Sequence, residues 1–169
     1  VNRLWDNEGS HPVVVVPFIR RMKKSDLKKV AEIESVSFPR PWPVSSYRYE
    51  LTENPFAYYI VACRGDTVVG FCGCWFIADE AHIITIAVHP AFRRQGIGRA
   101  MLLHVKGQLP RFGITRVALE VRVSNTQAQS LYGQFGFVVV GVRKFYYVDN
   151  NEDAILMNLE LEGEGDRED

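Results

Sequence analysis

The chain reads as an α/β domain, a central mixed and largely antiparallel sheet flanked by helices. Three observations predict it. Apolar runs of strand length alternate with amphipathic helical stretches in the order strand, two helices, three strands, helix, strand, helix, two strands. The three consecutive strands are linked by Arg64-Gly65-Asp66 and by an acidic turn at Asp79-Glu80, links so short that they imply antiparallel hairpins. The last of the three, ending Ile86-Ala87-Val88, then runs through His89-Pro90-Ala91-Phe92-Arg93-Arg94-Gln95-Gly96-Ile97-Gly98-Arg99-Ala100, a glycine-bearing turn that opens a helix.

Taken in order, residues 13–22 read as the first strand, and Ser25 is placed to cap a helix whose apolar face is Leu27, Val30, Ala31 and Ile33. The segment Phe38-Pro39-Arg40-Pro41-Trp42-Pro43 stops that helix, because each proline disfavours helical geometry in the residue before it. Tyr47 and Leu51 mark a short second helix ending near Asn54-Pro55. Strands follow at 57–63, 67–77 and 81–88, and the helix after the glycine turn ends near Leu109, before Pro110 and Gly113. Val117, Leu119, Val121 and Val123 alternate as a strand, which places Ala118, Glu120 and Arg122 on its other face. Ser124-Asn125-Thr126-Gln127 resembles a capping box for a helix with Ala128, Leu131, Tyr132 and Phe135 along one side, closed by Gly136. Strands at 137–148 and 153–161 complete the order.

The turn from Ile86 to Ala100 suits a phosphate. N–H groups at a helix start lack intrahelical partners, and the helix dipole adds partial positive charge. Gly96 and Gly98 let the backbone approach an anion, and Arg93, Arg94 and Arg99 add full charges. A nucleoside-triphosphate loop of the Walker type is excluded, since Arg99-Ala100 stands where lysine and a hydroxyl are needed. A dinucleotide fingerprint fails at Met101, where a small residue is required. On spacing alone, a basic helix start exposed on the surface remains an alternative.

With 169 residues and 47% hydrophobic content the chain supports one domain with a substantial core, expected over residues 13–161, with an N-terminal extension at 1–12 and an acidic, mobile tail at 162–169. The longest apolar runs are too short to span a bilayer and the first residues lack a signal-peptide layout, so a cytoplasmic protein with no membrane partner is expected. Cys63, Cys72 and Cys74 are odd in number and the histidines are scattered, which supports buried thiols and neither a disulfide framework nor a metal site. The net charge is zero, but six acidic residues and one basic fall in the last ten positions, leaving 14 acidic against 19 basic in the body. That body attracts anions. Three arginines at one helix start make a point site and not the basic stripe with interleaved aromatics of a nucleic-acid binder.

The element order together with Arg93-Arg94-Gln95-Gly96-Ile97-Gly98 resembles the GNAT superfamily of acetyl-CoA-dependent N-acetyltransferases. Within it, the chain is similar to the RimI-type branch that acetylates ribosomal-protein alanine. The matching segments are Ile33-Glu34 with Phe38-Pro39-Arg40-Pro41-Trp42, His82-Ile83 through His89-Pro90, Leu119-Glu120-Val121-Arg122-Val123-Ser124-Asn125, Leu131-Tyr132, Gly136-Phe137, Arg143-Lys144-Phe145-Tyr146-Tyr147 and Glu152-Asp153-Ala154. N-terminal acetyltransferases of archaea and eukaryotes share the Tyr146-Tyr147 and Glu152-Asp153-Ala154 segments and are close competitors for the resemblance.

The resemblance implies a sheet splayed between its fourth and fifth core strands, with coenzyme A in the gap. Backbone groups of Ile86, Ala87 and Val88 would pair with its pantetheine arm, and Arg94, Gln95, Gly96, Ile97, Gly98 and Arg99 would hold the pyrophosphate, with Asn125 nearby. A backbone N–H near Val88 would polarise the thioester carbonyl. Glu120 would be the general base and Tyr132 the general acid for the departing thiolate. The helix-helix loop and the last hairpin would grip the acceptor through Glu34, Phe38, Pro39, Trp42, Tyr146 and Tyr147. Read without the resemblance, Glu120 and Arg122 are also spaced for a surface ion pair, Tyr132 for core packing, Asn125 for a helix cap and Glu34 for an exposed helix position.

The implied reaction is direct acetyl transfer, in a ternary complex, to a protein N-terminal α-amine, with ribosomal protein S18 as the partner and the enzyme a monomer or weak dimer. An α-amine, with a pKa of about 8 against roughly 10.4 for lysine, needs only a modest base. Transfer to lysine or a small amine, and a non-catalytic acyl-CoA-binding module, are the competing readings.

Overall fold

The computed structural model describes residues 16–161. Seven strands form one sheet, β1 (Phe18–Arg21), β2 (Ala57–Arg64), β3 (Thr67–Ile77), β4 (Glu80–Val88), β5 (Arg116–Arg122), β6 (Val138–Tyr147) and β7 (Glu152–Glu160), in the spatial order β1-β2-β3-β4-β5-β7-β6. Four helices flank it, α1 (Leu27–Ser37), α2 (Val44–Thr52), α3 (Ile97–Gln108) and α4 (Thr126–Gln134). The expected mixed sheet is found, every neighbouring pair being antiparallel except β4 with β5. The expected extension, the acidic tail and the start of the first predicted strand lie outside the described residues.

The parallel pair sets the site. Pairing of β4 with β5 runs only from Glu80↔Arg116 to Ile83↔Leu119, whereas β4 continues to Val88 and β5 to Arg122. Beyond Ile83 the two strands part, leaving the expected splay. His89 N–H donates to Val69 O at 2.8 Å, so by strand alternation the backbone groups of Ile86 and Val88 turn away from β3, toward the gap.

The two sheet faces are filled by separate cores. On one, Ile97, Met101, Leu102 and Val105 of α3 and Tyr132 of α4 pack on Ile60, Cys72, Cys74, Ile83 and the odd-numbered positions of β5. On the other, Leu27, Val30 and Ile33 of α1 and Tyr47 of α2 pack on Tyr59, Val61 and Phe71. Each of these aliphatic side chains stabilises the fold by about 2 kcal/mol through burial. All three cysteines are buried.

Several boundaries differ from the sequence reading. Ser25 does not cap α1; it lies in a 3-10 turn (Lys24–Asp26), and the carboxylate of buried Asp26 accepts Lys23 N–H at 2.7 Å and pairs with Arg20 at 2.8 Å. The long-range arginine makes Asp26 the stronger anchor. The cap of α4 is Asn125 rather than Ser124, with its side-chain oxygen accepting Ala128 N–H at 3.1 Å. The β3 to β4 hairpin turns at Ala78-Asp79, with Ala78 at φ +52°, and Glu80 already belongs to β4.

Candidate active site

The turn before α3 is shaped by two left-handed residues, Arg94 at φ +61° and Gly96 at φ +77°. Gly96 is the N-cap and supplies no side chain, and the first intrahelical bond is Ala100 N–H to Gly96 O at 2.9 Å. The N–H groups of Ile97, Gly98 and Arg99 therefore precede the helical ladder and face outward at its positive end. A methyl group on Gly98 would meet Leu131 at 3.6 Å and Val88 at 4.0 Å, so the helix start sits directly against the end of β4 and against α4. The arginines divide their tasks. Arg93 Nε donates to Val88 O at 2.9 Å and its other end reaches Ser37 at 3.3 Å, tying β4 to the end of α1. Arg99 lies 5.2 Å over the Phe135 ring and 3.4 Å from Gln134, bracing α3 against α4. Arg94 and Gln95 stay exposed at the turn.

On β5, Val117, Leu119 and Val121 are buried in the α3/α4 core, so Glu120 projects from the opposite face, toward the α1/α2 side. Its side chain is only 15% exposed, and its Oε2 lies 2.6 Å from His82 Nε2. Arg143 of β6 is 3.8 Å from Oε1. The bond to His82 holds the Glu120 carboxyl below its ordinary value, against burial, and the same bond to Glu120 raises the His82 imidazole. The surface ion pair with Arg122 does not form. Arg122 instead bonds Asp149 at 2.8 Å and lies 3.6 Å from Glu152.

Tyr132 occupies the other side of the same gap. It is 5% exposed, its ring 5.7 Å from Phe137, and burial pushes its phenol well above the usual range, so it keeps its proton at neutral pH. Glu120 and Tyr132 thus lie on opposite sheet faces, beside the one place where the sheet opens.

The acceptor-side candidates form two groups. Tyr146 and Tyr147 stack edge to face at 5.0 Å; Arg143 lies 5.3 Å over the first and Arg122 3.9 Å over the second. Burial raises Tyr147 to about 12, against the opposing pull of Arg122. The hairpin loop beside them is fastened by Glu152, which accepts Ser124 N–H at 2.8 Å and the Ser124 hydroxyl and is held down at about 2 by these bonds. Across the site, Glu34 is not the exposed helix residue of the plain reading. It is 3% exposed, and its two oxygens accept Trp42 N–H at 2.9 Å and Tyr47 O–H at 2.7 Å. Glu34 therefore fixes the proline-rich loop onto α1 and α2. Phe38 caps α1 and is partly buried, Pro39 is exposed, and Trp42 lies 5.6 Å from the Tyr47 ring. Asp149 is lowered mainly by its bond to Arg122, with a further contribution from Arg40 of the proline-rich loop.

His82 and Arg143 lie in the matched segments, but spacing along the chain assigns them no role. Their places beside Glu120 follow from the β4 to β5 pairing and from β6 lying across β7 from β5, which bring together residues 38 and 23 positions apart in sequence. No local pattern encodes either distance.

The acetyltransferase (GNAT) family model matches residues 27–137. A Bacillus subtilis protein provisionally named a ribosomal protein bS18-alanine N-acetyltransferase is 42% identical over 139 residues, spanning 82% of this chain and 92% of its own. The ribosomal protein bS18-alanine N-acetyltransferase of Escherichia coli K12 is 32% identical over 145 residues, spanning 85% and 97%. The crystal structure of the ribosomal-protein-S18-alanine N-acetyltransferase from Escherichia coli matches with a TM-score of 0.81 at 30% identity, covering 90% of this chain and 99% of that one. Strand splay, glycine turn and sequence agree: this chain belongs to the GNAT acetyltransferase family.

Proposed function

We propose that this protein transfers the acetyl group of acetyl-CoA to the N-terminal α-amine of ribosomal protein S18, by direct transfer in a ternary complex. The observation that carries the reading is the gap between β4 and β5, with the glycine turn of α3 at one end, protonated Tyr132 on one face and the Glu120–His82 pair on the other. The names of the relatives supply the acceptor. A ribosomal acceptor also sets the reaction in the cytoplasm.

The residues fit the donor. The Ile86 backbone and the Val88 N–H offer an edge to a pantetheine arm, Val88 O being taken by Arg93; the N–H groups at the start of α3 and the exposed Arg94 suit a pyrophosphate, and Asn125, at the head of α4, is the further candidate contact. A Val88 N–H turned into the gap is placed to bond the thioester oxygen as it becomes an oxyanion.

The proton economy follows from the electrostatics. An α-amine with a pKa of about 8 is partly neutral at physiological pH, so it attacks without prior help. The ammonium formed on attack is far more acidic and needs only a weak base. Glu120, weakened by His82, suffices for that, directly or through a water, with His82 sharing the proton. Tyr132, held protonated by burial, protonates the thiolate as the carbon–sulfur bond breaks. Cys72 and Cys74 lie buried on the α3/α4 side and no step requires an acetyl-enzyme.

Mass spectrometry of the product formed from acetyl-CoA and a panel of peptides with free N-termini tests this. Acetyl on the α-amine, fastest on peptides beginning with alanine, is expected. Acetyl only on internal lysines, polyamines or other small amines would overturn it.

A further inference from the structure

Three carboxylates are buried among the described residues, Asp26, Glu34 and Glu50, and they are not equally satisfied. Asp26 is paired with Arg20, and both oxygens of Glu34 accept hydrogen bonds. Glu50, 7% exposed on α2, takes Trp75 Nε1–H at 2.8 Å and Asn54 Nδ2–H at 3.0 Å on the same oxygen, Oε2. No cation pairs with it among the described residues. A buried carboxylate normally has such a partner.

Glu50 also lines an open cavity of about 350 Å³ together with Trp42, Ser45, Ser46 and Tyr49. Both aromatic residues are accessible, Trp42 at 37% and Tyr49 at 58%. Aromatic faces beside a desolvated carboxylate suit an ammonium or guanidinium group, which gains from both. The cavity is on the acceptor side of the sheet. Trp75, which holds Glu50, is the cross-strand partner of His82, and His82 holds Glu120. Cross-strand partners lie about 5 Å apart and an extended peptide advances about 3.3 Å per residue. An acceptor chain leaving Glu120 therefore reaches the cavity within its first few residues.

We propose that the Trp42–Tyr49–Glu50 cavity is a specificity subsite for a basic side chain, arginine or lysine, just downstream of the acetylated residue. This rests on the α-amine reading above. The guanidinium or ammonium supplies the cation that Glu50 lacks, and the two rings and the serines complete the pocket.

The test uses alanine-initiated, otherwise neutral peptides with a single arginine moved through the early positions, each compared with norleucine and with glutamate at the same place. At one position arginine is expected to raise kcat/KM roughly tenfold over norleucine, mostly through KM, and glutamate to lower it. Glu50→Gln should bring the arginine-to-norleucine ratio close to one. Tyr49→Leu, at an exposed position that endangers no packing, should reduce the ratio severalfold. Equal rates for arginine and norleucine at every position, or a ratio unmoved in both variants, would overturn the subsite while α-acetylation still occurs. If no peptide is acetylated on its α-amine, the function itself is overturned and the subsite falls with it.

Discussion

The proposed chemistry rests on single residues and their surroundings. Glu120 and Tyr132 are separated by the sheet, and each is tuned by a different cause, a hydrogen bond from His82 for the first and burial for the second. Glu120→Gln and Tyr132→Phe should each bind acetyl-CoA as the parent does and lower kcat by about 100-fold or more, as calorimetric titration beside steady-state assays would show. A binding module without turnover would show neither loss. The Glu120–His82 pair also predicts a pH signature in stability. His82 is raised above its ordinary 6.5, so its contribution is complete below that value and lost as pH rises through the folded-state value. Glu120 is lowered below its ordinary 4.5, so its contribution is present above that value and lost as pH falls through the folded-state one. Denaturant melts of the parent and His82→Gln should therefore differ most between these two ordinary values and converge as pH rises through the folded-state value of His82.

At the scale of elements, the two glycines of the α3 turn do different things. Gly96 needs its φ of +77°, and Gly96→Ala, with open space around the new methyl, should cost about 1 kcal/mol from backbone strain alone. Gly98 has no such constraint and its methyl would make ordinary contacts. Gly98→Ala should keep or raise the melting temperature, because alanine favours helices, while raising the KM for acetyl-CoA several-fold if the donor lies against this turn. Equal donor KM in parent and variant would place the pyrophosphate elsewhere. Glu34 organises the opposite loop. Glu34→Ala removes both hydrogen bonds and leaves the buried Tyr47 O–H and the part-buried Trp42 N–H without their carboxylate partner, a loss of about 2 to 3 kcal/mol in chemical denaturation. Local patterns revealed the turn but not the anchor. A carboxylate on the α1 face looks like any exposed helix residue until α2 folds over it.

The whole molecule sets Tyr132 and Glu120 on opposite faces of one sheet, and in the proposed reaction donor and acceptor meet where β4 and β5 part. Both must be present before transfer, so double-reciprocal plots of initial rate should intersect; parallel lines would signal a covalent intermediate and refute direct transfer. The order of elements, the hairpins among β2, β3 and β4, the glycine turn and the alternation that separates Glu120 from the core of β5 were all legible in the sequence, because each depends on neighbours a few residues away. Matched segments in order extended that reading to the family, which the comparisons bear out. Tertiary structure alone decided the partners: His82 for Glu120, Asp149 and Glu152 for Arg122, Tyr47 for Glu34, and Trp75 for Glu50 beside an open cavity. These contacts join residues brought together by strand pairing and helix docking, whose registers are set by the packing of the whole core rather than by spacing along the chain.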